Sequence, residues 1–182
     1  MRRWGVPTVL VAAAVAIMAA APRVSREALH VMELSVDRRI QTLSADAPFE
    51  LLGNTRGLYL EGYGAVFTTE VNLSQSNNIS PFEPTIPKEY VDKLRLRKLA
   101  RVPVLKKCMQ DEMVALAASL DSVPANEQIV LSVTLYYYRK WEDTTGLPSQ
   151  IVMQAERQKL VDVQLGRANR ESLDSVIRVQ QL

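Results

Sequence analysis

Between Gln128 and Tyr138 the chain alternates so regularly that a strand with one buried face is the structure it best satisfies. Ile129, Leu131, Val133, Leu135 and Tyr137 point one way; Val130, Ser132, Thr134, Tyr136 and Tyr138 point the other. One face is apolar and the second mixed, so the first needs a cover. The cover is at hand in the helical pattern from Pro87 to about Leu120. There Val91, Leu94, Leu99, Val102, Leu105, Met109, Met113, Leu116 and Leu120 mark a buried side. Pro87 suits a first helical position, whereas Pro103 removes a backbone donor midway and predicts a kink or break near Arg101–Val102.

The remaining elements fall around this pair. Ser25 to roughly Ser44 reads as an amphipathic helix capped by Ser25, with Leu29, Met32, Val36, Ile40 and Leu43 on one stripe. Its preferred role is to cover the core; a stalk or dimerisation helix is the alternative. Leu58 to Leu73 is rich in β-formers, with Ala65, Phe67, Thr69, Val71 and Leu73 on one face and Gly62 and Gly64 in a turn or bulge, which predicts two strands. Ser74 to Pro87 is a polar loop with three prolines. A further strand is expected from Gln150 to about Arg157, extending toward Val163 and stopped by Gly166. A short helix with Leu173, Val176 and Ile177 follows, then an edge strand at Arg178–Gln180. The order predicts an α+β domain whose antiparallel sheet is covered on one face by the 87–120 helical segment.

The first residues read as an address rather than as fold. Arg2 and Arg3 precede an apolar run from Val9 to Ala21 that would be about 20 Å long as a helix, too short to cross a bilayer comfortably. Ala19 and Ala21 suit cleavage but Pro22 does not, so an uncleaved anchor through residues 9–21 stands beside a cleaved signal. The organisation expected is therefore residues 1–21 as signal or anchor, 22–45 as the amphipathic helix and 46–182 as one α+β domain. The whole chain carries 22 Lys+Arg and 20 Asp+Glu; without Arg2 and Arg3 the two signs balance, which argues against nucleic acid as a partner.

Catalytic chemistry is poorly supplied. Cys108 is the one cysteine and His30 the one histidine, so no internal disulfide, no Ser-His-Asp triad and no soft metal site can be assembled. No phosphate-binding loop, His-Glu-x-x-His or calcium loop is present, and no catalytic residue, metal ligand or cofactor is assigned. The binding candidates are two. Tyr136, Tyr138, Arg139, Lys140 and Trp141 join aromatics to cations, a composition that stacks on sugars or bases but also suits a strand end leaving a core. Lys88, Lys93, Arg95, Arg97, Lys98, Arg101, Lys106 and Lys107 form a basic helical face, with Lys93, Arg97 and Arg101 as candidate contacts. Such a face is either solvated or a patch for anionic lipid, polysaccharide or an acidic partner. Glu142 and Asp143 with Glu61 or Glu70 are the carboxylates from which a glycosidase pair would have to come.

Thr55–Phe67 and Gly146–Met153 resemble segments of uncharacterised exported bacterial proteins, a family with no assigned activity. The resemblance implies a bacterial envelope protein and supplies no site residues. The preferred expectation is an exported, periplasmic or secreted adaptor or assembly protein without catalytic activity, binding another envelope protein or a cell-surface polymer. The alternatives are a periplasmic hydrolase using carboxylates and Tyr, and a peripheral binder of anionic membrane or polysaccharide through the Lys88–Lys107 face. Residues 1–45 fused to a reporter active only outside the cytoplasm are expected to give signal. Val15→Asp with Ile17→Asp should abolish it; equal activity without residues 1–21 would refute export.

Overall fold

A computed structural model describes residues 24–43, 48–74 and 86–182. The expected signal or anchor at 1–21 and most of the Ser74–Pro87 loop lie outside the described residues. In chain order the elements are α1 (Arg26–Gln41), β1 (Glu50–Leu51), β2 (Arg56–Leu60), β3 (Gly64–Asn72), α2 (Lys88–Ser119), β4 (Gln128–Leu135) and β5 (Gln150–Glu156). Then come α3 (Arg157–Gln164), a 3-10 turn at Arg170–Ser172, α4 (Leu173–Val176) and β6 (Arg178–Gln181). The fold is mixed α+β: one six-stranded sheet runs β1-β3-β4-β5-β6, with β2 also paired to β3.

The sheet is not wholly antiparallel. β3 and β4 run parallel over eight residue pairs, from Gly64 opposite Gln128 to Val71 opposite Leu135, while the other pairings are antiparallel. The cause is α2, which carries the chain back so that β4 starts at the same end as β3, the crossover that a parallel pair requires. This helix has 32 residues and continues through Pro103, so of the expected kink or break the break does not occur. Pro103 is exposed, and its neighbours Val102 and Leu105 are buried, so packing on the inner side holds the turn that the proline weakens. β4 ends at Leu135 rather than Tyr138. β5, Gln150–Glu156, ends within a residue of the expected Arg157 and does not extend to Val163, because Leu160 and Val163 are spaced for a helix and are buried on α3.

The helices cover one face of the sheet. Ala65, Phe67, Val71, Ile129, Leu131, Val133, Leu135, Ile151, Met153 and Ala155 form the core with Leu105, Met109, Met113 and Leu116 of α2, and with Leu29, Val36 and Ile40 of α1. Burial of such side chains is worth about 1.5–3 kcal/mol each. The opposite face is open only in part: Thr68, Glu70 and Thr134 are exposed and Val66 and Val152 half-buried, but Val130 and Ser132 at the middle of β4 are buried, so burial there does not alternate. Gly64 has to be glycine. Its φ is 137°, and a Cβ there would lie 1.9 Å from the Gln128 carbonyl oxygen of the adjacent strand.

The β2 edge is closed by side chains of α1. Thr55 N–H donates to Asp37 Oδ1 at 3.0 Å and Gly57 N–H donates to Glu33 Oε1 at 2.7 Å. Two carboxylates one helical turn apart thus meet two edge N–H groups two residues apart, which combines the periods of helix and strand. Arg26 donates to both Glu33 oxygens, at 2.6 and 2.8 Å, and to the Gly57 carbonyl at 3.0 Å. His30 Nδ1 lies 3.0 Å from Glu33 Oε2. Burial alone would raise the Glu33 pKa, but the hydrogen bonds from Arg26, His30 and Gly57 outweigh it and hold the carboxyl down at about 2.

A depressed carboxylate contributes stability that is fully present above its ordinary value of 4.5 and is lost as pH falls through about 2. Glu33→Gln is expected to destabilise the protein by about 2–3 kcal/mol at pH 7. Urea denaturation at stepped pH should show the gap to the wild type closing between pH 4.5 and 2. A gap independent of pH would remove the charge from the account of this edge.

Candidate functional site

The loop Tyr136–Ser149, which joins β4 to β5, is held down by α2. Its consecutive acids Glu142 and Asp143 are met by Lys98 and Arg95, which lie one turn apart on the helix. Lys98 Nζ is 2.6 Å from Glu142 Oε2; the lysine side chain is fully buried and that of Glu142 is 3% exposed. Lys98 Nζ also sits 5.0 Å from the centroid of the Tyr137 ring, whose hydroxyl donates to the Pro148 carbonyl at 2.8 Å. Burial lowers the Lys98 pKa against the pull of Glu142 and Glu50. Burial, reinforced by Glu142, raises that of Tyr137. Glu142 Oε1 is buried and has no hydrogen-bond partner among the described residues.

Asp143 fixes the far side of the loop. Its Oδ2 is 3.2 Å from Arg95 Nε, and its Oδ1 accepts from Thr145 N–H at 2.9 Å. Hydrogen bonds from Thr145, with a smaller contribution from Arg95, lower its pKa against partial desolvation. The clamped loop carries a chain of aromatic rings. Tyr136 meets Tyr138 edge-on at 5.1 Å, Tyr138 stacks on Trp141 at 5.5 Å with an 18° interplanar angle, and Trp141 lies 6.3 Å from Tyr90 of α2. Beside them is a pocket of about 630 Å³ whose walls include Glu70, Thr134, Tyr136, Arg139, Glu142 and Ser149.

The structure therefore brings Tyr136, Tyr138 and Trp141 together, with Arg139 on the pocket wall and Lys140 exposed on the same loop. The basic helical face does not survive as a single patch. Lys93 and Arg97 are exposed, but Lys98 is interior, Arg95 is paired with Asp143, and the half-buried Arg101 lies 4.0 Å over the Phe49 ring. Glu61 is an exposed residue of the β2–β3 turn, at the opposite end of β3 from Glu70. Cys108 is buried, and its thiol is pushed up to about 11 by burial and the neighbouring Glu112. Among the described residues no group of three His, Cys, Asp or Glu side chains is placed to hold a metal ion.

A second pocket of about 690 Å³ lies between α2 and the 170–174 turn. Four of its polar wall residues are engaged in two pairs, Arg170 with Asp111 at 2.5 Å and Gln110 with Asp174 at 2.7 Å. Its walls also include Leu99 and, from the β4–β5 loop, Gly146 and Pro148, but none of the aromatic rings and neither member of the buried pair, so the smaller of the two is the better candidate. The sequence reading placed Lys98 on the basic face and missed its interior position, although a signal was present. It sits four residues from both Leu94 and Val102, on the apolar stripe, where a lysine enters the core only if a carboxylate meets it. No family model, curated protein sequence or solved structure matches this chain.

Lys98→Met is expected to destabilise the protein by about 3–5 kcal/mol, since it leaves Glu142 buried without its counter-charge. Lys98→Met combined with Glu142→Leu should recover most of that loss. Urea denaturation of the three proteins decides it; an additive double variant would mean that the two groups do not act as a pair.

Proposed function

We propose that this protein is an exported component of the bacterial cell envelope that binds a partner without catalysing a reaction. Its place is periplasmic or secreted, or at the inner membrane if residues 9–21 remain as an anchor. The aromatic loop and the pocket beside it form the binding site, and the partner is another envelope protein or a cell-surface polymer. The observation that carries this reading is the double clamp of Glu142 and Asp143 on Lys98 and Arg95. It fixes the backbone under Tyr138 and Trp141, so the rings are presented in one arrangement and lose little freedom on binding.

The hydrolase reading has one observation in its favour, the presence of Glu70 and Glu142 on one pocket. Against it, Glu142 Oε2 is engaged by Lys98, Oε1 is closed off from solvent, and the Tyr137 hydroxyl donates to Pro148. Glu142 and Tyr137 are therefore committed to structural contacts, and Glu70 alone is left on the pocket, one carboxylate where the chemistry needs two. The lipid-binding reading has lost Lys98 and Arg95 from its basic face and rests on what remains at Lys88, Lys93, Arg97, Lys106 and Lys107.

Cross-linking and recovery of tagged protein from intact envelopes tests the choice. Capture is expected to fall at least tenfold with Tyr138→Ala plus Trp141→Ala and to persist with Lys93→Glu plus Arg97→Glu. The reverse pattern would move the site to the helix. Release of new reducing ends from envelope glycan would favour the hydrolase.

A further inference from the structure

We infer that the ligand of this site is a neutral glycan segment, with a sugar ring on the Tyr136–Tyr138 aromatics and its hydroxyls in the adjoining pocket. The inference rests on the binding reading above and narrows it to one ligand class. Three independent properties of the site converge on it.

The first is charge balance. Of the two carboxylates on the pocket wall, Glu142 is already neutralised by Lys98 at 2.6 Å. That leaves Glu70 against Arg139, one charge of each sign. An anion entering the pocket gains Arg139 and meets Glu70; a cation gains Glu70 and meets Arg139. Neither sign is favoured, so the site selects for a ligand without charge. Nucleic acid, which would need several cations along its backbone, fits poorly for the same reason.

The second is the supply of hydrogen-bonding groups. Thr134 and Glu70 are register partners on adjacent strands and stand side by side at the end of the uncovered sheet face. With Thr144, Ser149 and Arg139 they line the pocket with hydroxyls that donate and accept, one carboxylate that accepts and one guanidinium that donates. Ser149 Oγ already donates to the Leu182 carbonyl at 3.1 Å, which turns its lone pairs toward incoming donors. A polyol presents donors and acceptors in alternation around a ring and matches this mixture better than a purely accepting or purely apolar molecule. The volume, about 630 Å³, falls in the range of about 300–1,000 Å³ typical of small-molecule sites.

The third is the aromatic wall. Tyr138 is 38% exposed, and one side of its ring is supported by Trp141 stacked at 5.5 Å. With Trp141 stacked on it and Tyr136 edge-on at 5.1 Å, the exposed part of the Tyr138 ring is held in one orientation. The C–H face of a pyranose carries the complementary positive edge, and stacking it releases water from both surfaces. Tyr136 belongs both to the ring cluster and to the pocket wall, so the two halves of the site are continuous.

Titration calorimetry of the purified protein with length-matched tetrasaccharides tests the inference. Neutral chitotetraose and cellotetraose are set against acidic tetragalacturonate and cationic tetraglucosamine. At least one neutral ligand is expected to bind at least tenfold more tightly than either charged one. Tyr138→Ala and, separately, Glu70→Ala should each weaken it at least fivefold with the urea midpoint unchanged. Absence of neutral binding, or tighter binding of a charged tetramer, overturns the inference. A photo-cross-linking residue at Tyr138 in living cells separates this failure from that of the wider reading. A cross-linked protein partner without glycan binding leaves the binding role standing and removes the sugar; no cross-link and no glycan binding removes both.

Discussion

The parallel pairing of β3 with β4 is the constraint from which the rest of the fold follows. Eight matched residue pairs require the chain to leave one end of the sheet and return to the other, and α2 is the element that makes the return. Because that crossing lies on one face, Phe67, Leu131, Val133 and Ile151 are covered while Thr68, Glu70 and Thr134 are left open. The same crossing sets the N-terminal half of α2 against the β4–β5 loop. Arg95 and Lys98 can therefore reach Asp143 and Glu142, more than forty residues away in sequence, without any long side excursion.

Buried charge is the second organising theme. Glu33, Lys98 and Glu112 are all nearly inaccessible, and each lies on the apolar stripe of its helix. Each is met by a partner from another element or another turn: Glu33 by Gly57 and Arg26, Lys98 by Glu142, and Glu112 by Ser35 at 2.9 Å and Arg39 at 3.4 Å. A buried ion pair adds little net stability over well-packed hydrocarbon, but removing one member is costly. These groups consequently act on register. Apolar contact would allow α1 to slide against α2 or against β2 by part of a turn, whereas a carboxylate facing one particular N–H would not.

Local periodicity carried much of this fold. The α1 stripe, the two faces of β4, the β2–β3 turn at Gly62 and Gly64 and the edge strand at the C-terminal end were all legible, because each depends on neighbours within a few residues. The direction of β4 was not legible. Alternation reads the same for a parallel and an antiparallel strand, and only the length of the preceding helix hinted at the crossover. At the site, the aromatics Tyr136, Tyr138 and Trp141 stood out by type. Lys98 did not, because a lysine among seven other cations reads as surface until the stripe position of Leu94 and Val102 is weighed against it. Glu142 needed a partner that the sequence does not point to.

The grip of Glu33 and Asp37 on the β2 edge makes this sheet directional as a template. At that margin the N–H groups of Thr55 and Gly57 already have acceptors, and the Gly57 carbonyl has its donor in Arg26. At the other margin β6 pairs with β5 and, among the described residues, with no strand beyond it. Among the described residues a foreign strand is thus refused at Thr55 and Gly57 and meets a flank without a strand partner at β6, so ordered growth of the sheet would be favoured at β6 over β2.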